Sequence, residues 1–271
     1  MWVRCCRGAS DPAAARATSS APLLSNALWL VLAGFGGGLM GSVAGLASLV
    51  SYPALLAVGL PPLSANVSNT VALVFGSVGS ASGSVVELRG QRGHVRRLGA
   101  VAVAGGVCGG LLLLATPSST FVRIVPWLIA GASLAILVRR TPAGATSIET
   151  HAPTWALSGG VFLIAVYGGY FGAAAGVLLL ALLLIATTEP LARSNALKNV
   201  VIGLANAVAA VAFVAFGPVR WSAVVPLAIG FLVGGRLGPM VVRRAPPGPL
   251  RVLIACAGLA LAVHLGLDAY G

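Results

Sequence analysis

Two stretches of this chain carry the same pattern. Gly37, Gly41 and Gly45 stand four residues apart in an apolar stretch, and Gly168, Gly172 and Gly176 repeat the spacing in the second half. Each triad leads into a short apolar run, a turn and a segment rich in asparagine: Leu60-Pro61-Pro62-Leu63-Ser64-Ala65-Asn66-Val67-Ser68-Asn69-Thr70 in the first half, Glu189-Pro190-Leu191-Ala192-Arg193-Ser194-Asn195-Ala196-Leu197-Lys198-Asn199 in the second. A matching loop follows in each, Gly93-His94-Val95-Arg96 and Gly217-Pro218-Val219-Arg220. Two copies of one membrane module in a chain is a common plan of secondary transporters, which hold their substrate between the copies.

The surroundings of the repeat decide its medium. Charged residues make up 8% of the chain and hydrophobic residues 58%, with a mean hydropathy of +0.99. A soluble domain carries roughly a quarter charged residues, and so apolar a surface would expose patches far larger than water tolerates. The composition specifies an all-α integral membrane protein. The net charge of +12 does not point to nucleic acid. Its arginines lie mostly in short loops between apolar runs, the distribution that orients membrane proteins, with no basic helix face or interleaved aromatic platform. Cys5 and Cys6 sit in the N-terminal tail and Cys108 and Cys256 stand singly in apolar segments, so no spacing reads as a disulfide framework or a metal site.

A spanning helix needs roughly 20 apolar residues. Long apolar segments fall at about 26–46, 64–86, 98–116, 121–138, 156–176, 194–216, 221–241 and 250–267, which gives eight long helices. Two shorter runs, Ala47 to Leu60 and Val177 to Thr187, follow the glycine triads and have the length of half-helices or re-entrant legs. Pro53 adds a kink to the first. The organisation expected is a disordered tail over 1–25, a first transmembrane repeat over 26–140, a cytoplasmic linker over 141–155 and a second repeat over 156–271. The glycine triads each line one helix face and suit close helix packing.

Basic loops give the orientation. Arg89, Arg92, Arg96 and Arg97 mark one loop as cytoplasmic, as do Arg139 and Arg140 at the end of the first half and Arg243, Arg244 and Arg251 in the second. The Arg220 loop is the repeat partner of the Arg89 loop, yet it holds a single charge and goes outside. The halves are therefore expected to be inverted, which requires an odd number of crossings in each: five plus five if the short runs cross.

Asn66, Asn69 and Thr70 lie at i, i+3 and i+4, as do Asn195, Lys198 and Asn199, spacings that share one helix side. An inverted pair would bring these faces together near the midplane. Lys198 is the only lysine in the chain, and a cation inside a membrane segment is costly enough to suggest function. Helix starts near Ser64 and Ser194 would add free backbone N–H groups, which attract anions. Amide donors, helix N-termini and one cation describe a small-anion site. The same residues admit a plainer reading, in which the asparagines bond neighbouring helices and Lys198 reaches the cytoplasmic headgroups beside Arg193.

Other chemistries find no support. Of the acids Asp11, Glu87, Glu149, Glu189 and Asp268, none is central in a long helix, so a carboxylate proton relay is absent. No His/Cys/Asp cluster offers metal ligands, no serine has a histidine partner at helix spacing, and no P-loop serves ATP. Gly36-Gly37-Gly38-Leu39-Met40-Gly41 matches a dinucleotide fingerprint in letters but lacks the acid about 20 residues on.

Taken together, Gly59-Leu60-Pro61-Pro62, the helix start Ala65-Asn66-Val67-Ser68-Asn69-Thr70, Arg89-Gly90 and Gly93-His94-Val95-Arg96, echoed after a central linker, resemble the sulfite exporter TauE/SafE family from about residue 27 to 266. The resemblance implies a multi-pass permease of the bacterial inner membrane, without cofactor or enzymatic activity, that exports or imports sulfite, sulfonates or related small organic anions. The chain departs from the commonest pattern at Ala44-Gly45-Leu46-Ala47-Ser48 and at Gly172-Ala173-Ala174-Ala175-Gly176, where alanines narrow the approach to the backbone. The expected mechanism is alternating access around Asn66, Asn69, Thr70, Asn195, Lys198 and Asn199. A passive anion channel and a non-transporting membrane scaffold are the rival readings.

Overall fold

The computed structural model describes residues 12–138 and 154–242, with isolated helical positions between 259 and 269. The linker expected over 141–155 and the last span, at about 250–267, lie largely outside the described residues. Ten helices follow in order among the described residues: α1 Pro12–Ala44, α2 Ala47–Ala57, α3 Pro62–Gly83, α4 Val85–Leu88, α5 Arg92–Ala115, α6 Ser118–Val138, α7 Thr154–Tyr170, α8 Ala175–Ala186, α9 Leu191–Phe216 and α10 Trp221–Val242. Among the described residues there is no strand. Four helical stretches, Ser25–Ala44, Arg92–Ala115, Leu191–Phe216 and Trp221–Val241, are long and apolar enough to cross a membrane by length and composition.

The short runs after the glycine triads form short helices, Ala47–Ala57 and Ala175–Ala186. What separates each from its predecessor is a backbone break. The first falls at Gly45, at φ +79°, and the second at Gly172 (φ +73°) and Ala174 (φ 59°). Left-handed backbone suits glycine because it lacks a Cβ, so the last glycine of the first triad and the middle one of the second stop a helix inside an apolar run. The second break comes earlier than the 156–176 segment suggests, because α7 ends at Tyr170. Helix α1 starts at Pro12, within the 1–25 stretch expected to be a tail, where the alanines around Arg16 have high helix propensity.

The long helices pack mainly across the halves. Helix α10 lies on α1 and α3, while α5 lies on α7 and α9, and α3 meets α9 at the centre. Each short helix stays with its own half, α2 on α1 and α3, α8 on α7 and α9. Glycines allow the long helices to touch through their backbones. A Cβ on Gly234 of α10 would run into the Phe35 carbonyl and lie 2.9 Å from Leu39 N, and one on Gly169 of α7 would lie 2.6 Å from Gly106 O. Without a strong hydrophobic force between helices in lipid, close packing of this sort supplies the cohesion. Large apolar side chains such as Trp127, Trp155, Leu163, Val211 and Phe216 point outward, as expected of a lipid-facing surface. Cys108 is exposed on the same outer surface.

Gly234→Val should separate α10 from α1 and cost about 1–3 kcal/mol through overpacking, read as a lowered thermal midpoint in detergent. Gly131→Ala, inside α6, should not lower the midpoint and should raise it slightly, since a Cβ there meets nothing within 4 Å and alanine favours the helix.

Candidate functional site

The asparagine segments begin α3 and α9, but earlier than expected. With Pro62 and Leu191 as first residues, Ser64 and Ser194 already lie inside the first turn, and Asn66 and Asn195 follow within the helix. Ser194 Oγ donates to the Glu189 carbonyl. The N-termini of α3 and α9 therefore do not line the central cavity. The asparagines do other work.

Asn66 Nδ2 donates to the carbonyl of Tyr170, the last residue of α7, at 2.9 Å. Asn195 Nδ2 donates to the carbonyl of Ser42, in the last turn of α1, also at 2.9 Å. Each half thus caps the broken helix of the other. Both amide oxygens, Asn66 Oδ1 and Asn195 Oδ1, are buried and have no hydrogen-bond partner. Asn69 turns toward its own half, accepting from Ser51 Oγ at 2.6 Å and donating to Ser48 Oγ at 3.2 Å. Thr70 Oγ1 donates to the Asn66 carbonyl within α3.

Lys198 is 1% exposed. Its ammonium donates to the carbonyls of Gly41 (3.1 Å) and Ser42 (3.4 Å), so it does not reach the headgroups. Those carbonyls sit at the C-terminal, electronegative end of α1, and among the described residues no carboxylate pairs with the lysine. Asn199 Nδ2 reaches Ser42 O (3.2 Å) and Ser80 Oγ (2.6 Å), and Ser80 shares a hydrogen bond with Ser42 Oγ at 2.7 Å.

Beside this network lies a cavity of about 60 Å³, room for roughly four waters. Lys198 and Asn199 line it, and so do Gly41, Gly45, Gly172 and Gly176. Asn66, Asn69, Thr70 and Asn195 stand behind its wall as buried, bonded groups, and Gly37 and Gly168 lie outside it. Gly37 instead faces Phe231 and the Ala47 carbonyl, and Gly168 faces Ala175. The two breaks touch here: a Cβ on Gly176 would fall 2.6 Å from Gly45 Cα. The first residues of α2 (Ala47, Ser48) and of α8 (Gly176) form part of the wall.

Sequence reasoning missed Ser42, Ser48, Ser77, Ser80 and Asn206, which also line the cavity. A signal for two of them was present. Ser77 and Asn206 each follow the capping asparagine of their helix by eleven residues, about three turns, and so return to its side. Leu73 and Ile202 are related in the same way and also line the cavity. The walls are thus built largely from matching positions of the two halves.

On one side of this centre the halves are tied by polar contacts. Arg193 pairs with Glu189 at 3.1 Å and donates to the Arg89 carbonyl, and Gln91 Nε2 joins the carbonyls of Glu87 and Arg193. The Arg220 loop is held more simply, its backbone N–H donating to Ser68 Oγ at 3.0 Å.

Residues 30–265 match the family described as sulfite exporter TauE/SafE. The chain belongs to that family. This TauE/SafE protein is 27% identical over 246 residues to a probable membrane transporter protein, ORF9, of Sinorhizobium sp., a match covering 89% of this chain and 92% of the relative. It is 26% identical over 259 residues to the probable membrane transporter protein YfcA of Escherichia coli K12, covering 92% of each. No solved structure matches it. Family and composition together make it a multi-pass membrane transporter with a small-molecule substrate.

The capping role of Asn66 is open to test. Asn66→Ala strips the Tyr170 carbonyl of its partner and should cost about 1–3 kcal/mol, seen as a lower thermal midpoint of the purified TauE/SafE protein.

Proposed function

We propose that the chain is a permease that moves a small sulfur or carbon oxyanion, such as sulfite, a sulfonate or a carboxylate, across a bacterial inner membrane by alternating access. The observation that carries this reading is the meeting of two broken helices beside a buried cation. Two half-length helices, α2 and α8, start at the wall of the same cavity, with Lys198 on that wall. In the first turns of these helices Leu49, Ala175 and Val177 donate to the backbone just before them, while no acceptor is seen among the described residues for the N–H groups of Ala47, Ser48 and Gly176, which border the cavity; helix N-termini with their positive dipole ends favour anions. Transporters use half-helix N-termini at the membrane midplane to hold anionic substrate groups. Lys198 adds a full charge, and Asn199 adds an amide.

The inverted arrangement, with eight long helices and two short ones, rests on three supports. Basic loops assign opposite sides to the Arg89 and Arg220 loops. The contacts α1 to α10 and α3 to α10 are matched by α7 to α5 and α9 to α5. The capping bonds from Asn66 and Asn195 run in both directions. Alternating access then consists of one half rocking on the other about the Gly45 and Gly176 contact, with the Arg193 to Gln91 contacts opening on the cytoplasmic side.

Proteoliposomes loaded by the purified protein should show saturable uptake of labelled sulfite, sulfoacetate or another small anion. Lys198→Gln should reduce it at least about tenfold, the equivalent of one lost charge-assisted hydrogen bond. Non-saturating flux at channel rates would favour a pore instead. Cysteines placed in the Arg89 and Arg220 loops should label from opposite sides of the membrane; labelling from one side would rule out inversion.

A further inference from the structure

Among the described residues, Asn206 is a polar lining side chain of the cavity that no hydrogen bond to protein holds. It lies on α9, 5% exposed, two turns beyond Asn199 on the same side of the helix. Its amide makes no hydrogen bond with any protein group among the described residues, whereas Asn66, Asn69, Asn195 and Asn199 all do. Burying an amide without a partner is unfavourable, and buried polar groups are almost always satisfied by protein, water or ligand. Asn206 borders the cavity, where only such a guest can supply the partner.

The opposite half strengthens the case. The residue equivalent to Asn206 is Ser77, and it borders the same cavity, with its hydroxyl donating to the Leu73 carbonyl at 3.2 Å and its oxygen free to accept. Gly203 is needed here as well, because a Cβ on it would lie 2.6 Å from Ser77 Cβ. The two helices therefore approach closely where this pair stands. Repeat-equivalent positions that differ in chemistry are a ready source of an asymmetric subsite inside a symmetric frame.

We infer that Asn206, with Ser77 opposite, is a substrate-contacting and specificity-determining residue, whose amide N–H groups bind the oxygens of a compact oxyanion held in the cavity. This rests on the anion-permease reading of the same site and adds a residue to it. Lys198 and Asn199 already spend donors on the Gly41 and Ser42 carbonyls and Ser80, whereas both N–H groups of Asn206 are free for the guest. A neutral donor reads the number and placement of oxygens rather than charge alone. The small volume restricts the guest to a few heavy atoms, so sulfite and acetate fit better than long sulfonates.

The test uses purified full-length protein in detergent and in proteoliposomes, with sulfite, sulfate and acetate as probes. In wild type, at least one anion should raise the thermal midpoint and support saturable uptake. Asn206→Ala should raise the half-saturation concentration for that anion about tenfold while leaving the ligand-free midpoint unchanged, since no protein bond is lost. Asn206→Asp should abolish binding by placing a carboxylate against the anion, and Ser77→Ala should alter the ranking among the three anions. Wild-type half-saturation and ranking in both Asn206 variants would overturn the inference and leave the permease reading intact. Failure of all three anions to stabilise or cross in wild type would overturn both. Should Asn206→Ala lower the ligand-free midpoint, Asn206→Ser supplies the same comparison with a donor retained and should recover most of the affinity.

Discussion

A helix that stops inside an apolar medium leaves carbonyl groups with no water to receive them, and each costs several kcal/mol if unmet. This chain stops two helices in that way, α1 at Ala44 and α7 at Tyr170. Their last-turn carbonyls are met from the other half of the molecule, by Asn195, Lys198 and Asn199 on one side and by Asn66 on the other. Much else follows. The breaks create the cavity, the caps hold α3 and α9 against it, and the exchanged packing of α5 and α10 encloses the pair.

The caps also account for a lysine without a carboxylate. Lys198 is met by the C-terminal dipole end of α1, carried by the Gly41 and Ser42 carbonyls. Partial charges of that kind balance a cation less completely than an aspartate would. On the proposed anion-permease reading, the lack of a carboxylate beside Lys198 among the described residues leaves the ammonium open to an anionic guest instead of an internal ion pair.

Much of the architecture was legible in the sequence because it depends on local chemistry. Hydrophobic run length separated the short helices from the long ones, and glycine spacing marked where helices break or touch. The asparagine faces pointed to the centre of the molecule, since polar groups in apolar helices need partners. Their division of labour was not legible. Whether Asn66 faces a ligand or a carbonyl of α7 depends on where α7 ends, and that is set by the backbone at Gly172 and Ala174, a conformation that no residue pattern announces. Ser77 and Asn206 escaped for a related reason: they lie three turns beyond the polar cluster, amid apolar neighbours, and only the repeat register ties them together.

The contact of Gly45 with Gly176 joins backbone to backbone. No side chain takes part in this one contact, so exchanging a cavity-lining side chain that bonds neither broken helix, such as Asn206, leaves it in place. On the proposed alternating-access reading, the pivot is thus distinct from the side chains that select the solute, and exchange of a few of those side chains would retune one architecture from one small solute to another.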